Sequence, residues 1–280
     1  MTTSLVHDPV PGGGGQGRAA AAARRRRWIG ILIGPALILV VFGAWELYSR
    51  LRETPTYVLP RPSAIAEAAW GDRSLLLSEL GRTLLEAAGG FALAALVAIT
   101  LAVAVQGSRT FELTVLPWIV VLQAVPVVAI TPVIALIIGR NAFTAMVIAA
   151  IIALFPILVN TVRGLASATD SSVELMHVFG ASRWNTFRYL RLPWALPYTF
   201  AGLRVAASVV VPGAMVAEWI TADSGLGFYV INQSVAYQTE LVWAGILVAT
   251  LAGVAFFTLV TVIERRVIPW SEPEEVAGGV

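Results

Sequence analysis

Glu218 and Arg204 are charged residues that lie inside long apolar runs of this sequence, where a charge is costly and usually has a function. Glu218 falls near the C-terminal end of one run, where a helix dipole disfavours an anion. We therefore expect it to have a cationic or hydrogen-bonding partner, and to act as a gate or packing residue beside the turn at 225–227. Arg204 leaves three interpretations open: it attracts an anion, pairs with a carboxylate such as Glu86, or extends its side chain towards a membrane surface.

The residue sets that catalysis or metal binding would need are missing. Cysteine is absent, the two histidines (His7 and His177) are far apart in sequence, and there is no HExxH motif. The glycine-rich stretch PGGGGQG at 11–17 lacks the Lys-Ser/Thr of a phosphate-binding loop. We predict no catalytic residue, no metal ligand and no cofactor in this chain, which is therefore not an enzyme.

The composition is that of an integral membrane protein. Hydrophobic residues make up 58% of the chain and charged residues 13%, against about 25% charged in a soluble domain. Only helices and closed barrels cross a bilayer, and the strand-like alternation of a barrel is absent. We predict an all-α polytopic membrane protein with about six transmembrane helices. The spans are 28–49, 84–106, 113–138, 142–163, 198–220 and 241–263.

The arginine distribution predicts the orientation. With the N-terminus inside, twelve arginines fall in inner segments and six in outer ones, as the positive-inside rule requires. The run Arg24–Arg27 could bind nucleic acid, but its place directly before a span favours an orientation signal. Both termini are thus predicted to be cytoplasmic, with no nucleic-acid partner.

The chain divides into three parts. Residues 1–27 are rich in Gly, Ala and Arg and are predicted to be a disordered cytoplasmic tail. Residues 28–268 form the membrane domain, and 269–280 a cytoplasmic C-terminal tail. The segment 60–83 has apolar residues at helical spacing but too many charges to span, so we predict an amphipathic helix on the outer surface.

Prolines and polar residues within the spans are candidates for a translocation pathway. Three prolines in the third span indicate a kinked helix lining a pathway, although proline is also commoner in membrane helices generally. Gln123 and Asn160 could hydrogen-bond a substrate or join neighbouring helices. The candidate pathway or gate residues are Gln123, Pro126, Thr131, Asn160 and Glu218.

A polar inner segment at 171–193 predicts two short helices joined by a turn. Ser171 and Glu174 have the spacing of a capping box that starts the first helix. Gly180 permits the left-handed turn that ends it. Ser182 is placed to cap the second helix, which Pro193 and Pro197 should end. Such a rigid pair, with apolar and basic faces, has the shape of a docking element for a soluble partner.

The spacing in this segment resembles that of a known family. Glu174-Leu175-Met176 is followed by three residues, Gly180, nine residues, and then Leu190-Arg191-Leu192-Pro193. This is similar to the EAA loop of the transmembrane permease subunits of binding-protein-dependent, type I ATP-binding-cassette importers. The stretches 59–65, 154–165 and 217–230 resemble the subgroup that imports nitrate, taurine, alkanesulfonates and pyrimidine precursors of thiamine.

The resemblance implies a set of partners. It implies that the loop docks on a cytoplasmic ATPase dimer, which binds ATP and Mg²⁺, and that an extracytoplasmic binding protein delivers the substrate. It also implies a bacterial inner membrane location. Since six spans leave half of a closed pore, we expect a second permease copy in a homodimer, and the alternative is a heterodimer with a related permease. The residues implied in ATPase coupling are Glu174, Gly180, Ala181, Ser182, Arg183, Trp184, Leu190 and Pro193.

The expected function is that of a permease subunit that forms the pathway and couples it to the ATPase. The substrate would be a small anion or nitrogen or sulfur compound, such as nitrate, a sulfonate or taurine, or else a pyrimidine precursor. The alternative is an ion-coupled secondary transporter, which usually shows carboxylates in mid-span and internal repeats. Here the acidic residues cluster at the span ends.

Overall fold

The computed structural model describes residues 14–52, 55, 57–107, 113–114, 117, 121, 125–221 and 223–270, with side chains from residue 33 onward. All regular structure in these residues is helical. The helices are α1 (Gly14–Leu51), α2 (Pro62–Gly71), α3 (Arg73–Gly107), α4 (Val127–Ile138), α5 (Ala142–Leu165), α6 (Asp170–Val178), α7 (Arg183–Thr186), a π-helical turn (Phe187–Arg191), α8 (Leu192–Thr221), α9 (Leu226–Val235) and α10 (Thr239–Val267).

Five of these helical stretches are long and apolar enough to cross a membrane, and α4 is a shorter apolar helix. The prediction of an all-α polytopic membrane protein is therefore confirmed. The predicted third span, 113–138, lies partly outside the described residues. Its described part corrects one detail: Pro126 has extended backbone (φ −61°, ψ 114°) and precedes α4 instead of kinking it. Pro132 lies inside α4.

The chain divides into two compact units, residues 1–64 and 65–280. In the first unit, α1 already begins at Gly14 and so includes residues 14–27, which the sequence analysis assigned to a disordered tail. The Ala and Arg residues of 18–27 have high helix propensity, which favours this extension. Residues 1–13 lie outside the described part, as do residues 271–280 of the predicted C-terminal tail.

Near the end of α1, Glu46 joins that helix to the start of α2. Its Oε1 accepts a hydrogen bond from Arg50 Nε at 2.7 Å, four residues along the same helix. Its Oε2 accepts from the backbone N–H of Ser63 at 3.0 Å, one of the N–H groups that a helix start leaves without an intrahelical partner.

In the second unit, α5 packs against both α3 and α8, and α10 packs against α8. Small side chains allow this close packing, as is usual between membrane helices. A Cβ on Gly202 of α8 would lie 2.6 Å from the carbonyl oxygen of Pro156 on α5, so the two backbones nearly touch. The fully buried alanines of this core include Ala94, Ala98, Ala102, Ala149, Ala153, Ala206 and Ala214.

Two boundaries on the predicted outer side differ from expectation. The amphipathic segment 60–83 is not one helix, because α2 ends at Gly71 and the chain continues from Arg73 directly into α3. With 35 residues, α3 is about 52 Å long at 1.5 Å per residue. The segment between α8 and α10 contains the short helix α9, which the sequence analysis did not predict.

Candidate functional site

The coupling loop, which we define as residues 171–193, begins inside a helix that starts earlier than predicted. The N-cap of α6 is Thr169, whose Oγ1 accepts a hydrogen bond from Ser172 N at 3.3 Å. The predicted capping box of Ser171 and Glu174 is therefore wrong, because Ser171 already lies in the first helical turn. Glu174 is exposed, and its carboxylate has no partner within the described part of the chain. It is free to contact another molecule.

The turn at Gly180 is the predicted left-handed one. Gly180 has φ 73°. Its N–H donates to His177 O at 2.9 Å, and the N–H of Ala181 donates to Met176 O at 2.9 Å. These two bonds define a Schellman motif, which satisfies carbonyls at the end of α6. The space beside the Gly180 Cα is open, since a Cβ added there would have no atom within 4 Å.

The second helix of the loop has the predicted N-cap, but it does not end at Pro193 or Pro197 as expected. Ser182 Oγ accepts from Asn185 N at 3.2 Å. Pro193 and Pro197 were expected to end the helix, and this is wrong: the helical stretch continues from Arg183 to Thr221. The π-helical turn before Pro193, closed by the Leu192 N–H on Phe187 O, adjusts the backbone where a proline would disrupt α-helical bonding.

Large apolar side chains are exposed around this turn. Val178 is 81% exposed, Phe179 77% and Trp184 63%. The Trp184 ring stacks on Phe187 with centroids 5.7 Å apart. Of the other predicted coupling residues, Ser182 and Arg183 are exposed, and Ala181, Leu190 and Pro193 are half-buried.

Behind the turn lies a cavity of about 560 Å³, between the coupling loop and the end of α3. Its wall includes Gln106, His177, Arg183 and Arg191. The C-terminal end of α3, at Gly107, therefore lies beside the coupling loop.

At the other end of α3, Glu218 of α8 is fully buried and hydrogen-bonded. Its Oε1 accepts from Thr83 Oγ1 at 2.7 Å, and its Oε2 accepts from Gly227 N at 2.6 Å. Thr83 Oγ1 in turn accepts from Leu226 N at 2.8 Å, and the carboxylate of Glu79 accepts from Gly225 N. The partners expected for Glu218 are thus neutral donors, and they hold the turn at 225–227 against α3.

This turn depends on its two glycines. Gly225 has φ 100°, a conformation that side-chain-bearing residues rarely adopt. A Cβ there would lie 2.3 Å from the carboxyl carbon of Glu218, and one on Gly227 would lie 2.2 Å from Met215 O. The close approach lets the backbone N–H of Gly227 reach the buried carboxylate.

A second bond fastens the following helix to the start of α3. Tyr229 Oη donates to Asp72 Oδ2 at 2.8 Å. Burial, together with the hydrogen bond and negative charge of Asp72, raises the pKa of Tyr229 well above its usual range. Tyr229 is therefore a neutral donor across the physiological pH range.

Arg204 forms an ion pair with Glu264 of α10. Of the three interpretations left open, the structure therefore supports pairing with a carboxylate. Arg204 Nη1 lies 3.2 Å from Glu264 Oε2, and the Glu264 side chain is 12% exposed. The expected alternative partner, Glu86, is on α3 beside Glu218 instead. Arg204 neutralises a largely buried carboxylate between two packed helices.

Among the described residues, the remaining pathway candidates make no hydrogen bond to one another. Gln123 lies outside the described residues. Thr131 is buried and donates to Val127 O at 2.8 Å in its own helix, and Asn160 Nδ2 donates to Pro156 O at 2.7 Å. Pro126 precedes α4. Their roles in a pathway stay predictions.

The sequence analysis missed the α3 residues that contact Glu218 and the turn. Glu79, Thr83 and Glu86 recur at four and three residues, the spacing of one helical face. That periodicity was the available signal, but Glu79 and Thr83 were assigned to the surface helix 60–83 and Glu86 to the span 84–106. Among the described residues, no group of three or more His, Asp or Glu side chains is arranged to hold a metal ion.

Comparison with known proteins identifies the class. Residues 90–269 match the family model described as the inner membrane component of binding-protein-dependent transport systems. The chain is 30% identical over 237 residues to the formylaminopyrimidine transport permease of Halalkalibacterium halodurans, covering 84% of this chain and 94% of the relative. It is 31% identical over 238 residues to the riboflavin transport system permease of Chloroflexus aurantiacus, covering 84% and 89%.

A more distant relative and a solved structure support the same class. A putative aliphatic sulfonates permease of Bacillus subtilis is 27% identical over 253 residues, covering 89% of this chain and 90% of the relative. A crystal structure of an amino acid ATP-binding-cassette transporter with histidines shares the fold, with TM-score 0.59 at 19% identity, covering 69% of this chain and 94% of that one. The chain belongs to the family of permease subunits of binding-protein-dependent importers, and its function is that of a membrane permease subunit.

Proposed function

We propose that the coupling loop of this permease subunit docks on a cytoplasmic ATPase and transmits ATP-driven movement to the membrane helices. The observation that carries the proposal is the exposed apolar surface at a rigid turn. Val178, Phe179 and Trp184 are large, apolar and mostly exposed. The Schellman motif fixes the turn, and the unbroken helical stretch from Arg183 to Thr221 gives a stiff connection into the bundle.

The same proposal supplies the remaining parts of a transporter. ATP and Mg²⁺ would be bound by the ATPase dimer, a separate binding protein would deliver the substrate, and a second copy of this chain would complete the pathway. A closed two-fold arrangement is the commonest symmetry for two identical chains. The family description names a binding-protein-dependent system of the inner membrane, which supports the binding protein and the bacterial location.

For the substrate we propose a small anion, a nitrogen or sulfur compound, or a pyrimidine precursor. The support comes from relatives named for formylaminopyrimidine, for aliphatic sulfonates and for nitrate. One relative is instead named for riboflavin, a larger molecule than these compounds.

The docking proposal is tested by changing the turn and the surface separately. Gly180→Val places a β-branched residue at φ 73°, which costs roughly 1 kcal/mol or more and should displace the apolar surface. Val178→Ser should remove part of that surface without backbone strain. Both variants should insert normally but lose the co-purifying ATPase activity. Val235→Ser is a matched control, because Val235 is 74% exposed and lies outside the loop. Unchanged co-purification with both loop variants would contradict the proposal.

The predicted orientation is tested by cysteine accessibility, for which the chain is suited because it contains no cysteine. Cysteine is placed singly at the exposed positions Ser171 and Glu67. A membrane-impermeant maleimide applied to intact cells should label only the Glu67→Cys variant. Labelling of the Ser171→Cys variant from outside would place the coupling loop on the wrong side for an ATPase.

A further inference from the structure

The cavity behind the coupling loop is a space distinct from the surface that we propose for the ATPase. Its wall is formed by the end of α3, by α6 and by the stretch from α7 into the π-helical turn. Val178 and Phe179 do not line it, and of the proposed docking surface only Trp184 does. The volume of about 560 Å³ falls within the range of about 300–1,000 Å³ that is usual for small-molecule sites.

The polar side chains of this cavity are hydrogen-bond donors. Arg183 and Arg191 line it together with His177 and Gln106, and the described lining contains no Asp or Glu. Neither arginine forms an ion pair with any residue that the structure describes. A guanidinium group presents five N–H donors in a planar fork that suits a phosphate group. The cavity is therefore suited to an anion, and to a phosphate in particular.

The rest of the wall is apolar and extends into the membrane domain. Val103 lies in α3 near the end of the predicted span 84–106, and its side chain is 39% exposed. Phe187, in the π-helical turn, is half-buried and also lines the cavity. Since His177 and Arg183 belong to the coupling loop, the cavity lies where a membrane span meets the polar segment outside it. This is the level at which the hydrocarbon of a bilayer gives way to headgroups.

We propose that this cavity binds the headgroup of an anionic phospholipid from the cytoplasmic leaflet. Arg183 and Arg191 bind the phosphate group, and Val103 contacts the start of an acyl chain. The shared chemistry is a phosphate, which a soluble compound also carries, but the apolar wall and the position at the membrane boundary favour a lipid. Basic pockets between transmembrane helices on the cytoplasmic side typically bind such headgroups.

A lipid bound here contacts the coupling loop and α3 together. It therefore links the position of the loop to the composition of the membrane. The inference rests on the proposed function in one respect, because it takes the coupling loop to lie on the cytoplasmic side, where the ATPase docks.

The test uses three probes that separate charge from acyl chains. They are dioctanoylphosphatidylglycerol, which is anionic, dioctanoylphosphatidylcholine, which has the same chains but no net charge, and glycerol 3-phosphate, which has no chains. Binding of each is measured by native mass spectrometry on the delipidated permease–ATPase complex in detergent. We expect phosphatidylglycerol to bind at least about tenfold more tightly than either other probe, the ratio that one charged hydrogen bond supplies.

Substitutions of single arginines locate the binding. Arg191→Gln should weaken phosphatidylglycerol binding about tenfold, and Arg191→Lys less, since it keeps the charge but loses the planar fork. Arg183 is exposed, so Arg183→Gln repeats the test at a position with little effect on folding. The matched control is Arg188→Gln, because Arg188 lies in the same π-helical turn but is exposed and outside the lining. It should bind like the wild type.

The remaining outcomes would overturn the site. Equal binding of the two lipids would show that charge is not recognised, and glycerol 3-phosphate binding as tightly as phosphatidylglycerol would identify a soluble phosphate as the ligand. An equal loss in Arg188→Gln and Arg191→Gln would mean that the arginines form only a general positive surface. Unchanged binding in both Arg183→Gln and Arg191→Gln would also reject the site.

These results are separable from the docking proposal. Failure of the ATPase to associate with the wild-type permease would overturn docking alone, and the same order of probe affinities is then expected on the permease by itself. If the ATPase co-purifies but the probes bind equally, the lipid site is wrong while the docking proposal stands.

Discussion

Thr83 of α3 and Glu218 of α8 are joined by a buried hydrogen bond of 2.7 Å between Oγ1 and Oε1, although 135 residues separate them in the chain. The same hydroxyl oxygen accepts from the N–H of Leu226. Thr83 is therefore the point at which α3, α8 and the turn before α9 meet. The bond fixes the end of the bundle opposite the coupling loop.

Thr83→Val should destabilise this end of the protein. The substitution keeps the shape but removes the donor to Glu218 and the acceptor for Leu226, leaving two buried polar groups unpaired. We expect the free energy of unfolding to fall by about 1–3 kcal/mol. The measurement is a lower thermal unfolding temperature in detergent. Thr258→Val is the control, because Thr258 is an exposed threonine bonded only to Val254 O of its own helix. Equal unfolding temperatures for the two variants would mean that Thr83 does not hold the turn.

Gly227→Ala should be poorly tolerated despite adding one methyl group. The new Cβ would lie 2.2 Å from Met215 O, so the turn must move away from Glu218 and lose the 2.6 Å bond to its carboxylate. We expect reduced yield of folded protein and loss of uptake. Gly253→Ala on α10, where no atom lies within 4 Å of the new Cβ, should have normal yield. If Gly227→Ala also folds and transports normally, the close approach is unimportant.

The sequence predicted the helices well where apolar runs are bounded by polar residues. The predicted span 142–163 corresponds to α5, and 241–263 corresponds to the middle of α10. The left-handed turn at Gly180 was predicted from a single glycine lying between the start residues of two short helices. Local composition is enough to predict the structure in these places, because a backbone that crosses the bilayer must satisfy its hydrogen bonds internally and so forms a helix.

Other features depend on contacts that the sequence does not display. The prolines at 193 and 197 predicted a helix end, but the π-helical turn keeps the helix continuous. The charges between 73 and 83 indicated a surface helix, yet Thr83 and Glu79 face the turn at 225–227. Likewise, the partner of Arg204 is Glu264, sixty residues away on α10. Such pairings arise from tertiary packing, which overrides local patterns.

Arg204→Leu alone should be more destabilising than the double variant Arg204→Leu with Glu264→Leu. Removing only the arginine leaves the Glu264 carboxylate, 12% exposed, without a cation. We expect the free energy of unfolding to fall by about 1–3 kcal/mol. This is less than the roughly 3–5 kcal/mol for breaking a fully buried pair, because the Arg204 side chain is 38% exposed. The double variant should recover most of this loss in thermal unfolding. A double variant less stable than either single variant would show that the pair is not an isolated ionic interaction.

Tyr229→Phe should change how stability depends on alkaline pH. In the wild type, the Tyr229 hydroxyl donates to Asp72 at 2.8 Å, and burial raises the Tyr229 pKa above its usual range. The folded state thus holds this proton more tightly than the unfolded state, whose pKa is about 10. The resulting stability is fully present below about pH 10 and is lost as the pH rises through the pKa of the folded state.

Below about pH 10, therefore, Tyr229→Phe should be less stable than the wild type by the value of one hydrogen bond, about 0.5–1.5 kcal/mol. Above about pH 10 the wild type should lose stability faster, so the two unfolding temperatures converge. Tyr57→Phe is the control, since Tyr57 is 72% exposed, and it should follow the wild type at every pH. Parallel curves for wild type and Tyr229→Phe up to the most alkaline pH measured would show that burial of this hydroxyl does not contribute to holding α9 on α3.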